Sequence, residues 1–233
     1  QHGWTRAIPL YGYSMKDLTN MMRFITTSFV IILLGCGDSE KEPELIAVLA
    51  PNAPKFLHPE IESAIRKELD KTTGVLTVKD FEKVENLNLY STKITDSDLN
   101  NVCELKNLVT LNLWGTQVTD DGIRKIIVLQ KLTTLNLADT QIGDEAIMEL
   151  AKLPMLADLK LFGTKITDNS AGYFHAFKRL NKLNISETKI TDEGLVKLSN
   201  SKSLSELEVY GATVTGEGVD EIRKQLPGCK VYH

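Results

Sequence analysis

The sequence contains few of the residues that metal sites and common catalytic motifs require. Of its 233 residues only 4 are histidine and 3 are cysteine. The histidines are scattered without the spacing of a ligand set: His2, His58, His175 and His233. No CxxC pair, phosphate-binding glycine loop or G-x-S-x-G turn occurs. We therefore expect no metal, no cofactor and no catalysis.

The sequence also lacks a strong charge of either sign. The net charge is −4 and no block of basic residues occurs, which argues against a surface for nucleic acid. With 42% hydrophobic and 25% charged residues, the composition is that of a globular chain with a real core.

An apolar run long enough to cross a bilayer is missing as well. The run Phe24–Leu34 is far shorter than the roughly 20 residues of a membrane-spanning helix. Because it follows Arg23 and precedes Gly35 and Cys36, it predicts the apolar part of a secretory signal. The ending Leu-Leu-Gly-Cys resembles the lipobox of bacterial lipoproteins, which implies a lipid on Cys36 and anchoring to a membrane of the cell envelope. The alternative is a chance apolar stretch beside an ordinary cysteine.

These features predict how the chain is divided. Met21 or Met22 is the favoured initiator, so residues 1–20 are expected to be a non-native or fragmentary upstream segment. The remaining segments are a signal peptide at 21–35, a polar tether at 36–57, a helical N-terminal cap at 58–83, a repeat array at 84–227 and a C-terminal cap strand at 228–233.

The predicted N-terminal cap contains two helix signals. The spacing of Ile61 and Ile65 predicts a helix that starts at Pro59 and ends before Gly74. Thr77 to Asp80 reads as a capping box that opens a second, shorter helix.

A 24-residue repeat fills most of the chain, in six copies without insertion or deletion. The copies are residues 84–107, 108–131, 132–155, 156–179, 180–203 and 204–227. They share the pattern L-x-x-L-x-L-x-x-T-x-I-T-D-x-G-L-x-x-L-x-x-L. Alternation, as at Leu111 and Leu113, predicts a short strand, and the spacing of Ile123 and Ile126 predicts a helix. Since one strand and one helix cannot bury their apolar side alone, the copies must stack.

The pattern resembles the leucine-rich repeat family, in its bacterial T-x-I-T-D-x-G-L variety. Over residues 84–227 this implies an α/β, right-handed leucine-rich repeat solenoid, a curved coil with parallel strands on the concave side and short helices on the convex side. The family's buried asparagine is replaced by threonine, whose hydroxyl we expect to bind the turn backbone. These threonines are Thr92, Thr116, Thr140, Thr164 and Thr188.

An aspartate recurs at the start of five predicted helices: Asp96, Asp120, Asp144, Asp168 and Asp192. We interpret these residues as helix caps, because a helix start favours negative charge. A calcium site is the alternative, but the glycine-rich turns of calcium solenoids are missing.

The ends of the array bear on the two remaining cysteines. Cys103 lies in the first repeat and Cys229 in the terminal strand. At about 4.8 Å per strand they are roughly 24 Å apart, against a limit near 7 Å for a disulfide. We expect Cys229 to lie in the core and Cys103 to be beside the core or on the surface. In the last two copies the polar residues Ser201 and Gln225 replace apolar residues on the helix side. We interpret this change as a core that becomes smaller toward the end of the solenoid.

Residues out of phase with the strand leucines should face the concave side. The residue that follows the second apolar residue of each predicted strand forms a column across the sheet that is rich in aromatic side chains: Tyr90, Trp114, Ala138, Phe162, Ser186, Tyr210 and Tyr232. Between the two leucines comes a column rich in asparagine: Asn88, Asn112, Asn136, Lys160, Asn184, Glu208 and Lys230. Aromatic rings beside amides are typical of binding surfaces. The aromatic and asparagine residues are therefore the predicted binding site, although the rings could instead pack on one another and shield the sheet, and the asparagines could form a ladder among themselves.

The favoured function is a non-catalytic binding module, lipid-anchored and extracytoplasmic, whose concave face engages a protein or a cell-envelope glycan. The alternatives are a structural envelope or adhesion component without a discrete ligand, and an F-box-like leucine-rich repeat adaptor. His175 lies near Ser170 and Asp168 in the sequence, but the three share one convex loop and helix start and imply no catalytic pocket.

Overall fold

The computed structural model describes residues 57–233 and the backbone of three short strands before them, Ala7–Pro9 (β1), Val30–Ile32 (β2) and Ile46–Val48 (β3). The chain separates into two compact units, residues 1–56 with 74–80 and residues 57–73 with 81–233. In the first unit β3 pairs antiparallel with β1 and with β2.

Cys36 lies outside the described residues, as do most of the predicted upstream segment, signal peptide and tether. The lipid anchor and the limits of these segments therefore remain predictions. Among the described residues, none of the helices has both the length and the apolar character to cross a membrane.

The second unit begins with helix α1, Pro59–Glu68. His58 precedes it and accepts a hydrogen bond at Nδ1 from the backbone N–H of Glu60, at 3.4 Å. Ile61 and Ile65 are both fully buried. Their separation of four residues places them on one face of the helix, which packs against the first strand of the repeat array.

Helix α1 ends before Gly74, as the sequence predicted, but the residue that terminates it is not this glycine. Asp70 adopts a left-handed backbone conformation, with φ of 48°. The N–H of Lys71 then donates to the carbonyl of Arg66 at 2.9 Å, which is the bond of a Schellman turn. An aspartate thus takes the place that glycine usually has, and the sequence signal was missed for that reason.

A second helix, α2, spans Val78–Phe81. The predicted capping box is confirmed, because the N–H of Thr77 donates to Asp80 Oδ2 at 2.8 Å and the N–H of Asp80 donates to Thr77 Oγ1 at 3.4 Å.

The repeat array forms a seven-stranded parallel sheet with the strands in chain order. The strands are Asn86–Asn88 (β4), Thr110–Asn112 (β5), Thr134–Asn136 (β6), Asp158–Lys160 (β7), Lys182–Asn184 (β8), Glu206–Glu208 (β9) and Lys230–Tyr232 (β10). The helices between them are Leu99–Val102 (α3), Asp120–Ile126 (α4), Asp144–Leu150 (α5), Asp168–Ala171 (α6), Asp192–Leu198 (α7) and Gly216–Gln225 (α8), and a 3₁₀ turn at Gly172–Ala176 follows α6. Leu87 pairs with Leu111 and Leu111 with Leu135, so the strand register follows the 24-residue repeat and confirms the predicted solenoid.

The core lies between the sheet and the helices. Leu111 and Leu113 from the strand side are fully buried, as are Ile123 and Ile126 from the helix side. The turn residue Val118 is also fully buried, and its counterparts in four other copies behave alike: Ile94, Ile142, Ile166 and Ile190. Val214, in the last copy, is only half-buried, because no further repeat covers it.

The threonine column has the predicted role. Thr116 Oγ1 donates to the carbonyl of Leu113 at 2.7 Å, and Thr164 Oγ1 donates to the carbonyl of Leu161 at 2.7 Å. The same bond to the residue three positions earlier occurs at Thr92, Thr140 and Thr188. Each hydroxyl thereby satisfies a carbonyl where the chain leaves the strand.

The aspartate column differs from the prediction, because each carboxylate binds the next repeat and not its own helix. Asp168 accepts from the N–H of Thr191 at 2.8 Å and from its hydroxyl at 2.5 Å. Equivalent pairs join Asp96 to Thr119, Asp144 to Thr167 and Asp192 to Thr215. The threonine hydroxyl caps the helix, as where Thr191 Oγ1 accepts from the N–H of Glu193. We call this row of bonds the aspartate ladder.

The glycine of the T-D-x-G motif makes room for this ladder. A Cβ atom at Gly194 would overlap Asp168 Oδ1 and would lie 2.8 Å from Ile190 Cγ2. Gly122 and Gly218 stand in the same relation to the carboxylates of Asp96 and Asp192.

One rung of the aspartate ladder is incomplete. Gly143 stands where other copies have threonine, so Asp120 receives a bond only from the N–H of Gly143, at 2.7 Å. Burial raises the pKa of the Asp120 carboxyl, and this single bond does not offset the effect.

The two described cysteines are unpaired thiols, in agreement with the distance argument. Cys229 is only half-buried, and its predicted place in the core is wrong. It precedes β10, at the repeat position of Val109 and Thr133, which are also half-buried. Cys103 is also half-buried, and its Sγ donates to the carbonyl of Lys125 at 3.3 Å. Burial raises the pKa of both thiols.

Candidate binding site on the concave face

Most of the aromatic column is exposed at one edge of the concave sheet. The exposed fractions are 52% for Tyr90, 39% for Trp114 and 48% for Tyr210, while Phe162 is half-buried. The first strands end two residues before these rings, as β5 ends at Asn112. The rings of Tyr90, Trp114, Phe162 and Tyr210 therefore border the carboxyl ends of the strands.

The aromatic column is not continuous. Ala138 is 4% exposed and Ser186 is 2% exposed, so both are buried in the turn. The column consists of a Tyr90–Trp114 pair, then Phe162, then Tyr210. The predicted place of Tyr232 in this column is wrong, because Tyr232 pairs with Glu208 and therefore lies at the register position of the asparagine column, where it is 41% exposed. Lys230, which was predicted for that position, pairs instead with Glu206.

The first two rings are held in place by specific contacts. Tyr90 and Trp114 meet edge to face, with ring centroids 5.0 Å apart and an interplanar angle of 69°. Trp114 Nε1 donates to Asp139 Oδ2 at 2.7 Å. The packing that the shielding alternative expects occurs at this pair, yet both rings keep a large exposed area. A tryptophan fixed in this way can contact a partner without losing further side-chain freedom.

The residue after each ring position reverses the chain through a left-handed turn. Gly115, Gly163 and Gly211 have φ of 69°, 66° and 62°. Asp139 has φ of 50° and holds this conformation while its carboxylate binds the indole. Ser91 and Glu187 fill the same turn position, both with φ of 55°.

The asparagine column is anchored by the oxygen of each side chain. Asn88 Oδ1 accepts from the N–H of Tyr90 at 3.1 Å, and Asn112 Oδ1 accepts from the N–H of Trp114 at 3.1 Å. Asn136 and Asn184 make the same bond to the residue two positions on. The bonds that the ladder alternative expects between asparagines do not form at these four residues, because each Oδ1 closes a local turn within its own repeat.

The carboxyl-terminal half of the concave face carries paired charges. Lys182 Nζ lies 2.9 Å from Glu206 Oε2, and this hydrogen bond and ion pair raise the pKa of Lys182. Asn184 Nδ2 donates to Glu208 Oε2 at 2.6 Å. These side chains, with Asp158 and Lys160, line a shallow cavity of about 150 Å³.

Sequence reasoning found the concave columns from Tyr90 to Tyr210, but it misplaced Lys230 and Tyr232 and missed two further features of the site. Asp139 was not singled out, although its position 25 residues after Trp114 places it in the next repeat. The charged cluster around Lys182 was also missed, although the same column alignment contains it.

The convex residues considered for catalysis are not brought together as a catalytic group. Ser170 Oγ donates to the carbonyl of Thr167 at 2.8 Å, and Asp168 binds Thr191 in the aspartate ladder. His175 Nδ1 contacts the carbonyl of Gly172. Each side chain thus has a separate structural partner. Within the described residues, no cluster of three or more histidine, cysteine or carboxylate side chains could hold a metal ion.

Comparisons with known proteins agree with this architecture. A family model described as Leucine Rich repeat matches residues 128–151 and 180–199. An internalin from Listeria monocytogenes has a TM-score of 0.56 and 23% identity, over 75% of this chain and 55% of the internalin. Internalin C2 of the same organism has a TM-score of 0.55 and 23% identity, over 74% of this chain and 81% of the relative. No curated protein matches the chain.

These similarities concern the fold, because the identity to the solved structures is only 23%. The chain spans about half of the first internalin, 55% of its length. The chain therefore folds as a leucine-rich repeat solenoid, with a parallel sheet on its concave side and short helices on its convex side.

Proposed function

We propose that this protein is a non-catalytic protein-binding module that uses the concave face of its solenoid. The observation that carries the proposal is the exposure of Tyr90, Trp114 and Tyr210 along one edge of that face. Large aromatic side chains dominate the energy of protein interfaces, because they bury much apolar area with few rotatable bonds.

The surroundings of the rings support this function. Trp114 is fixed by Asp139 and by Tyr90, so it is ordered before any partner arrives. The neighbouring strand residues are amides, hydroxyls and charged groups, which resembles the apolar anchors and polar surroundings of known interfaces. The internalin-like fold supports an interaction scaffold by analogy.

The module acts, in this proposal, outside the cytoplasm and on a membrane of the cell envelope. The support is the sequence pattern around Cys36, which resembles a lipobox. Metabolic labelling with a fatty acid tests this part. Label that enters the parent chain and not a Cys36→Ser variant is the expected result, and equal labelling of both would contradict the anchor.

Capture of a partner tests the concave face. The full chain is immobilised and exposed to envelope extract, beside a variant in which Trp114, Phe162 and Tyr210 are all replaced by alanine. A convex triple variant, with Val128, Met148 and Val196 replaced by alanine, serves as the matched control, since these residues are 47%, 47% and 54% exposed. Melting curves establish that each variant is folded.

The proposal predicts that a protein captured by the parent chain is lost with the concave variant and kept with the convex variant. Loss with the convex variant alone would overturn it. Undiminished capture by the folded concave variant would also overturn it.

A further inference from the structure

One register position of the concave face presents hydrogen-bond donors from four consecutive strands. Asn88, Asn112 and Asn136 occupy it on β4, β5 and β6, and Lys160 occupies it on β7. We call these four residues the donor row. Asn88 and Lys160 are exposed, while Asn112 and Asn136 are half-buried.

The orientation of the three amides is fixed by the backbone. Each Oδ1 already accepts from the N–H two residues further on, at 3.1, 3.1 and 3.0 Å. The Nδ2 group therefore faces away from that turn, and the oxygen is not available as the main acceptor for a ligand. Within residues 57–233, the Nδ2 groups of Asn88, Asn112 and Asn136 have no acceptor.

Lys160 continues the row with a charged donor. Its ammonium group has no carboxylate within ion-pair distance among the described residues. Lys182, the neighbouring lysine of the cavity, differs because it is paired with Glu206 at 2.9 Å. The row thus offers four donors, one of them a positive charge without an ion pair in a cavity that Asp158, Glu206 and Glu208 also line, and Asn112 lies two residues before Trp114.

We infer that the donor row binds an acidic, extended segment of the partner protein, with carboxylate oxygens as the acceptors. This inference rests on the proposed function, since it names the chemistry that the concave face recognises. Carboxylates fit because they only accept hydrogen bonds and because they compensate the charge of Lys160.

The spacing of the row agrees with such a segment. Neighbouring strands are about 4.8 Å apart, so the four donors span about 14 Å. In an extended peptide, side chains on one face recur about every 6.8 Å, so the first and third are also about 14 Å apart. Terminal carboxylates of a Glu-x-Glu-x-Glu segment then reach Asn88 and Lys160. The middle carboxylate lies between Asn112 and Asn136 and can accept from both.

The test uses synthetic peptides and the ¹⁵N-labelled full chain. An eight-residue peptide of alternating Glu and Ser is the probe, and an alternating Gln and Ser peptide and maltohexaose are the comparisons. Side-chain NH₂ resonances of asparagine report directly on the donor row. Titration at low salt gives the affinity of each ligand.

The key variant is Asn112→Asp, because its carboxylate still accepts from the N–H of Trp114 while the donor is lost. Asn169→Asp is the matched control, since it makes the same change of charge at an exposed convex position in the first turn of α6. Lys160→Gln removes the positive charge and keeps a donor.

We expect the Glu–Ser peptide to shift the NH₂ signals of Asn88, Asn112 and Asn136. The affinity should fall at least tenfold in Asn112→Asp and at least threefold in Lys160→Gln, and should stay within twofold in Asn169→Asp. Equal binding of the Gln–Ser peptide would overturn the acidic specificity. Shifts with maltohexaose alone would assign the row to a neutral glycan and overturn the inference, as would the absence of any shift.

Failure here is distinguishable from failure of the proposed function. A chain that ignores the Glu–Ser peptide but loses its captured protein in the concave alanine variant still has a concave binding face, with another ligand chemistry.

Discussion

Replacing Gly194 by alanine tests the aspartate ladder that joins successive repeats. Gly194 lies in helix α7 and its position leaves room for the carboxylate of Asp168. An added methyl group would overlap Asp168 Oδ1. The carboxylate must then turn away and lose its two bonds to Thr191, which measure 2.8 and 2.5 Å.

The size of the effect follows from these two bonds. A hydrogen bond to a charged group contributes about 1.5–3 kcal/mol. Because Asp168 is only half-buried, the low end applies and the pair is worth about 3 kcal/mol. Alanine is better than glycine within a helix by about 1 kcal/mol. The net loss is therefore about 2 kcal/mol, which lowers the melting temperature of a chain of this size by about 4–8 °C.

Thermal unfolding followed by circular dichroism measures this loss, with Gly172→Ala as the control. A Cβ atom at Gly172 meets no other heavy atom within 4 Å, so this variant should be unchanged or stabilised by up to about 1 kcal/mol. In an Asp168→Ala background, Gly194→Ala should cost less than in the parent chain. Equal melting temperatures for Gly194→Ala and Gly172→Ala would refute the ladder.

Three further substitutions test single rungs and turns. Gly143→Thr supplies the missing hydroxyl to Asp120 and should raise the free energy of unfolding by about 1 kcal/mol near neutral pH. Burial raises the pKa of the Asp120 carboxyl above its ordinary value of 3.8. The carboxyl therefore stabilises the folded chain at pH values below 3.8, and this contribution is lost as the pH rises through the raised pKa. Denaturant titrations should therefore show a gain that grows from acidic to neutral pH, and a gain independent of pH would contradict the assignment. Glu187→Val should be less stable than Glu187→Gly by about 1–2 kcal/mol in the same assay, because the backbone φ at residue 187 is 55°. Equal stability of the two variants would show that this turn is not strained. Ser201→Ala should be more stable by about 1 kcal/mol, because the buried Ser201 hydroxyl has no hydrogen-bond partner in the described part of the chain; a lower melting temperature would show that the hydroxyl has one.

The repeat pattern predicted the fold in detail, for a physical reason. Alternation at Leu111 and Leu113 and helical spacing at Ile123 and Ile126 each identify a buried face from sequence neighbours alone. Once the repeats stack, a constant period aligns every equivalent residue. The residue that ends α1 was misjudged because Asp70 adopts a conformation that sequence reasoning reserves for glycine.

The contacts of side chains between repeats were harder to foresee. Asp168 and Thr191 are 23 residues apart, and nothing local shows that the carboxylate turns toward the next repeat and not toward its own helix. The indole of Trp114 similarly finds Asp139 in the next repeat. The asparagine column was found from the sequence. The hydrogen bond from a backbone N–H to each Oδ1, which leaves only the NH₂ donors free, depends on turn geometry and could not be predicted.

Site-specific photo-crosslinking can show whether the partner contacts the concave face. A photoreactive amino acid is placed at Thr110 of β5 on the concave side or at Met148 on the convex side, in the full chain, and the envelope extract is irradiated. A concave contact should give a discrete adduct with a partner protein from position 110 and none from position 148. An adduct from position 148 alone would contradict it.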